Sequence, residues 1–269
     1  MASFSIVNNI ASINAQANLS VSSIGLNKSL QRLSSGLRIN NSGDDAAGLA
    51  IANAHRSKVA ILTQGVRNAN DGLSDLQTKD GALNNISTLM DRLATLATQA
   101  SSSSDDNAVK SLSDEYGKVI NEIDRQASVA GLDADWDFSV FISAESNATD
   151  GQISESGIKA VDSTSIGLAT TSFADASGAQ SVLAEVSAAI TSLGSVQNSV
   201  GILENRVQFA ISLAQSQIVN TKAAESRIRD ANIAEESANM TRFNILNQSG
   251  IAALAQANQT SAAVLSLLR

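Results

Sequence analysis

At 269 residues the chain is long enough to bury a sizeable core in one domain or two, and its make-up narrows the choice, with no Pro, no Cys and aromatics at 3%. Without Pro nothing forces a helix to stop or kink, so helices far longer than three or four turns become accessible, and without Cys there are no disulfides, no thiolate chemistry and few routes to zinc. The formal net charge of −8, with no basic stripe, excludes the phosphate-neutralising surface that nucleic-acid binding needs.

The first element reads as a helix. Ile6, Ile10, Ile13, Ala17, Ser20 and Ile24 step by four and three, and Leu26, Leu30, Leu33 and Leu37 resume the step one register over. No charged side chain precedes Lys28. Asn40-Asn41-Ser42-Gly43 is turn chemistry, and Asp44-Asp45 after it suits the positive end of a new helix. From there Val59, Leu62, Val66, Ala69, Leu73, Leu76, Leu83 and Met90 hold heptad positions, interrupted by Asp80 and Ser87. A helix from Asp44 to near Ala100 would be roughly 85 Å long.

A polar break at Ser101 to Asp106 leads to a shorter helical stripe, Val109, Leu112, Tyr116, Val119, Ile123 and Ala127, so the two helices should pair antiparallel. Residues 131–178 change character, with five Gly and period-two alternation at Trp136, Phe138, Val140 and Ile142, which predicts a small β-hairpin turning near Asp150-Gly151. Helical spacing returns near Ser177 in Leu183, Val186, Ile190, Leu193, Val200, Val207, Ile211, Ala214 and Ile218, with Gln197 and Glu204 as polar members. The last element, carrying Ile251, Leu254, Leu265 and Leu268, is free of charge from residue 243 to 268 and mirrors the first.

The expected fold is therefore mainly α, a long antiparallel helical hairpin or coiled-coil bundle with a small β-hairpin insert. Its uncharged terminal helices carry apolar stripes that one chain cannot cover. Each buried Leu or Ile is worth about 1.5–3 kcal/mol, and no like charges oppose packing, so the pattern predicts a homo-oligomer that grows by stacking identical ends. The terminal segments are interrupted by Asn, Gln and Ser too often to span a membrane, and the start does not have the form of a secretory signal.

Catalytic chemistry finds no support. The single histidine, His55, sits beside Arg56 and Lys58 as a solvated helix position, and HExxH, G-x-S-x-G, Walker and GxGxxG patterns are missing. Asp44-Asp45 and Asp105-Asp106 are explained by helix starts without a metal. Asn147-Ala148-Thr149 fits the N-glycosylation pattern, which is short and common by chance. No enzyme activity, cofactor or metal is expected.

The stretch SLQRLSSGLRINNSGDDAAGLAIA at Ser29 to Ala52 and RNANDG at Arg67 to Gly72 resemble the N-terminal signature of the bacterial flagellins, and SRIRDANIAEESANMTRFNIL from Ser226 with VLSLLR from Val264 resemble the C-terminal one. The resemblance covers about residues 1–130 and 180–269 and leaves no room for the variable outer domains of larger members. It implies a subunit of the extracellular flagellar filament. Residues 1–43 and 230–269 would form an inner-tube coiled coil and residues 44–229 an outer-tube helical domain bearing the 131–178 insert. Self-assembly would then rest on Ile6, Ile10, Ile13, Ile24, Leu30, Leu33, Ile251, Leu254, Leu265 and Leu268. The implied partners are further copies of the chain, the flagellar export chaperone, the type III export apparatus, and the hook-associated junction and cap proteins. Toll-like receptor 5 would contact Arg92, Leu96 and Glu115, which carry the matching residue types. The competing readings are a hook-filament junction protein and a secreted immune-receptor-binding protein.

Overall fold

The computed structural model describes the backbone of residues 8–143, 151–168 and 172–267, and the side chains of these as far as residue 259. Along the chain run α1 (Ile10–Ser35), α2 (Ala46–Ser102), α3 (Asp106–Ala130), β1 (Trp136–Phe141), β2 (Gln152–Ile158), α4 (Ala176–Arg229) and α5 (Ile233–Leu267). Helix starts follow the capping residues in the sequence. Asn9 accepts from the Ser12 amide at 3.1 Å, Asp45 from Gly48 at 2.8 Å, Asp105 from Asn107 at 3.0 Å, Asp175 from Gly178 at 2.7 Å and Asn232 from Ala234 at 3.2 Å. Two helices end on a left-handed glycine, α1 at Gly36 (φ 71°) and α3 at Gly131 (φ 66°). Helix α1 thus stops at Ser35, ahead of the Asn40 to Gly43 turn where its apolar pattern alone would end it.

The chain divides into two compact units, one made of Met1–Ser57 with Thr221–Arg269, the other of Lys58–Asn220. Both divisions fall inside helices, α2 and α4, rather than at the turns near residues 43 and 230 where composition changes.

In the first unit α1 and α5 lie antiparallel. Asn9 donates to the Ala257 carbonyl at 2.9 Å, Leu19 approaches Gly250, Gly25 meets the Phe243 ring, and Arg32 pairs with Glu236 at 2.9 Å, so partner numbers on α5 fall as those on α1 rise. Past Gly36 the chain is tied to the α4–α5 junction. The amide of Arg38 donates to the Arg229 carbonyl at 2.7 Å, and that of Ala231 to the Gly36 carbonyl at 2.9 Å. Asp44 gathers the loop, accepting from the Asn40 and Asn41 amides at 3.3 Å each and pairing with Lys28 at 2.7 Å. It is a loop tie, while Asp45 alone caps α2.

Lys28 above all, with the two amides, holds the Asp44 carboxyl down to about 2 from its ordinary 3.8. Because the folded value lies below the unfolded one, the stability Asp44 contributes is complete above about pH 4 and is lost as pH falls toward 2. The substitution Asp44→Asn should therefore weaken this unit at pH 6 but hardly at pH 2, as read by hydrogen exchange of the 38–45 amides at the two pH values.

The second unit has the core. From α2 come Leu62, Ala69, Leu76, Leu83, Met90 and Ala97, from α3 Val109, Tyr116, Ile120, Ile123 and Ala127, and from α4 Val182, Val186, Ala189, Leu193, Val200, Leu203 and Val207, all buried in one cluster. Helices α2 and α3 run antiparallel, as expected, with Arg92 bound to Glu115 and the Lys79 Nζ donating to the Ala130 carbonyl at 3.2 Å. Lys79 also lies 4.7 Å over the Trp136 ring. On α4 the expected Val186, Leu193, Val200, Val207 and Ala214 are buried, but at two places the inner position moves by one residue, since Val182 and Ala189 face inward while Leu183 is half-buried and Ile190 is exposed. The smaller side chain of each neighbouring pair takes the inner place, which lets helices approach closely.

Strands β1 and β2 form the predicted antiparallel hairpin, with Val140 opposite Ile153 and an irregularity between Trp136 and Phe138. Phe138, Val140 and Ile142 are buried, as their alternation implies. The Asn147 motif and Asp150 of the expected turn lie outside the described residues. The hairpin sits against α2 at two glycines one heptad apart. A Cβ on Gly65 would lie 2.1 Å from the Ile142 carbonyl oxygen, and one on Gly72 2.6 Å from Val140 Cγ2. The segment after β2 is held by Asp124, which accepts from the Ser163 amide at 2.7 Å and hydroxyl at 3.0 Å.

Candidate self-assembly surface

The first unit buries little of its apolar surface. Among the described residues its buried apolar side chains are Ile39 and Ala52, both outside the α1–α5 pair. The pair itself closes through half-buried side chains, with Leu19, Leu26 and Leu33 on α1 and Phe243, Leu254 and Ala257 on α5. The Phe243 ring fits because Gly25 has no side chain, since a Cβ there would stand 2.6 Å from two ring carbons. Arg32 and Glu236 neutralise each other where both are mostly covered, with side-chain exposures of 23% and 10%.

The stepped seam of the first helix faces the other way. Ile10, Ile13, Ala17, Ser20 and Ile24 are all exposed, with Ile13 at 58% and Ile24 at 65%. At 100° per residue these positions occupy the side of α1 opposite Leu19, Leu26 and Leu33. The seam is intact, apolar, uncharged and uncovered within the subunit. Helix α5 adds Ile245, Leu246 and Ile251, also exposed.

The expected assembly residues therefore fall into three groups. Ile10, Ile13, Ile24, Leu30 and Ile251 are exposed; Leu33 and Leu254 are half-buried in the α1–α5 pair. Ile6, Leu268 and the side chain of Leu265 lie outside the described residues. Val21, Ile245 and Leu246 join the exposed set without having been singled out by the stepping pattern. The signal that could have found them is the uncharged composition itself, which marks whole segments rather than one stripe.

Within the second unit, Arg92 and Glu115 are joined by Arg92 Nε at 3.1 Å, with side-chain exposures of 49% and 45%. Leu96 departs from the expectation of a shared surface. It is fully buried in the core beneath them, so it supports the helices and offers no area to a partner. His55 is half-buried on α2. Among the described residues no three His, Cys, Asp or Glu side chains gather as a metal would require, and no helix is long and apolar enough to cross a membrane.

Comparison with known proteins agrees with this geometry. Residues 6–133 match the bacterial flagellin N-terminal helical region and residues 183–268 the bacterial flagellin C-terminal helical region. A flagellin of Halalkalibacterium halodurans is 35% identical over 97% of this chain and 98% of its own length, and a flagellin of Bacillus subtilis is 35% identical with the same coverage of each. A flagellar filament core protein of Brachyspira hyodysenteriae is 30% identical over 97% of this chain and 99% of its own. These relatives favour a filament subunit over a junction protein or a receptor-binding protein, and they imply a structural rather than an enzymatic role. The chain belongs to the bacterial flagellin family and is a structural subunit that self-assembles into the flagellar filament.

Proposed function

We propose that the first unit is the polymerising module, in which the outward seam of α1, led by Ile10, Ile13 and Ile24, together with Ile251 of α5, packs against other copies to build the inner tube of the filament. The second unit then forms the outer tube. The observation that carries this reading is an uncharged, largely aliphatic stripe left exposed on a helix pair that has almost no core of its own. Such a surface is expensive in water and gains about 1.5–3 kcal/mol for each aliphatic side chain covered.

The same stripe explains the partners in this reading. A subunit with exposed apolar ends needs a chaperone over its C-terminal helix before assembly, passage through the flagellar type III export apparatus, and junction and cap proteins that offer matching apolar seats at the two filament ends. In this reading the assembled protein lies outside the cell, in the flagellar filament. Toll-like receptor 5 would meet the exposed Arg92–Glu115 pair, with Leu96 acting only from below.

Seeded growth tests the central claim. Monomer prepared by heating, cooled to neutral solution and given filament fragments, should form long filaments visible by electron microscopy. A chain lacking residues 1–27 should stay monomeric while keeping the helical signal of the second unit. Elongation by the shortened chain would overturn the assignment.

A further inference from the structure

The charges of the second unit are spread unevenly over its surface. Helix α3, with 25 residues, exposes Asp106, Lys110, Asp114, Lys118 and Arg125. Over the longer stretch of α4 that belongs to the same unit, Ala176 to Asn220, Arg206 is the one charged residue that is exposed, and it is paired with Glu155 of β2 at 3.2 Å. Glu185 and Glu204, the other charged residues of that stretch, are half-buried, and from Val207 to Thr221 the sequence carries no charge.

Apolar side chains occupy this neutral face. Ile202, Phe209 and Leu213 follow one another by seven and four positions and are all exposed, Phe209 at 75%. At about 100° per residue they lie on one side of α4, opposite the buried row of Leu193, Val200 and Val207 that faces the core. The polar residues around them are already engaged with their own helix. The hydroxyls of Thr191, Ser199 and Ser212 donate to carbonyls four residues back at 3.1, 3.1 and 3.0 Å, and the Asn205 amide donates to the Gly201 carbonyl at 2.8 Å. Covering such groups costs less than covering donors that only water satisfies. At about 1.5 Å per residue the face runs roughly 65 Å, and with a width of about 10 Å it offers on the order of 650 Å², near the roughly 800 Å² per partner that a stable interface buries.

We propose that this face of α4, centred on Phe209, is an interface with the second unit of another copy of the chain, separate from the seam of α1. The occupant follows from charge. With a net charge of −8, copies repel where their charged surfaces meet, and a face without an unpaired charge is where they approach free of that cost. The chain self-assembles into a filament, so another copy is the partner present at every stage of growth. The inference rests on self-assembly alone and not on the assignment of the α1 seam.

Because the chain has no Cys, single introduced thiols report on this surface cleanly. Ser216→Cys, on the same side of α4 as Phe209, should react with a maleimide at least about tenfold more slowly in seeded filaments than in the monomer, whereas Ser111→Cys, exposed on the charged α3, should react equally in both. Phe209→Ala should raise the critical concentration for growth about ten- to a hundredfold and leave the monomer's urea midpoint unchanged. Equal reaction of Ser216→Cys in monomer and filament would leave the face open to a partner other than a second copy and would overturn the proposal. Equal slowing at both thiols, or elongation of Phe209→Ala at the parent's critical concentration, would overturn it too. Growth that tolerates Ile24→Asp but not Phe209→Ala would remove the α1 seam and leave the α4 interface standing.

Discussion

Replacing Ile24 with aspartate is expected to abolish filament growth at concentrations where the parent chain polymerises, while leaving the monomer's unfolding midpoint within error. Ile24 points away from α5 and is 65% exposed, so the monomer loses almost no packing. In an assembled filament the same position is to be covered. The substitution removes about 1.5–3 kcal/mol of aliphatic burial per contact and adds the several kcal/mol needed to strip water from an unpaired carboxylate. At 1.4 kcal/mol per factor of ten, even 4 kcal/mol raises the critical concentration roughly a thousandfold. Sedimentation of seeded mixtures across a concentration series measures this directly. Ile24→Ala should give a smaller rise, about ten- to a hundredfold, because it forfeits burial without stranding a charge. Growth of the aspartate variant at the parent's critical concentration would mean that this face of α1 is not covered in the filament.

The second large effect is expected from Gly65→Ala. An exposed helix glycine normally gives up about 1 kcal/mol relative to alanine, so the substitution would ordinarily stabilise. Here the new methyl would lie 2.1 Å from the Ile142 carbonyl oxygen, 2.7 Å from its carbon and 2.8 Å from its Cα. These are backbone atoms, which cannot rotate aside as a side chain can, so the hairpin must lift from α2. Overpacking of this kind costs about 1–3 kcal/mol, and loss of the seat for Phe138, Val140 and Ile142 places the net change near 2 kcal/mol. Gly81→Ala, on the same helix with nothing within 4 Å of the new methyl, should instead stabilise by about 0.5–1 kcal/mol. Equal effects from the two variants, read from urea midpoints, would rule out the glycine seat.

The long elements were legible because the chain advertises them. Without Pro, and with apolar side chains repeating every three or four residues, α2 was expected from Asp44 to near Ala100 and runs from Ala46 to Ser102, and α4 was expected from near Ser177 and begins at Ala176. The hairpin was legible from alternating large side chains. Periodicity marks the apolar stripe, but it does not decide which of two adjacent apolar residues turns inward, and so Ala189 displaced Ile190 and Val182 displaced Leu183. Nor could it show the division at Ser57 and Asn220, because that division leaves no mark on helices that continue through it.

For the assembly surface, the stepping of Ile10, Ile13 and Ile24 was visible, but periodicity could not tell whether that seam faced α5 or solvent. What settles it is Leu19, which the stepping left out, together with Leu26 and Leu33, which it placed one register over: these half-buried leucines form the face of α1 turned to α5. The glycines at 25, 65 and 72 were silent for a related reason. A residue chosen for the side chain it lacks leaves no periodic signal until its neighbour is known.

The pairing of α1 with α5 also sets a timetable. Asn9 reaches Ala257 across 248 residues of sequence, whereas every partner within Lys58–Asn220 lies inside one unbroken stretch of chain. Closing a loop of that length costs conformational entropy that only late contacts repay, so the contiguous unit can consolidate as soon as its last helix emerges, and the terminal pair must wait for residues beyond 250. The terminal pair is thereby expected to form after the contiguous unit.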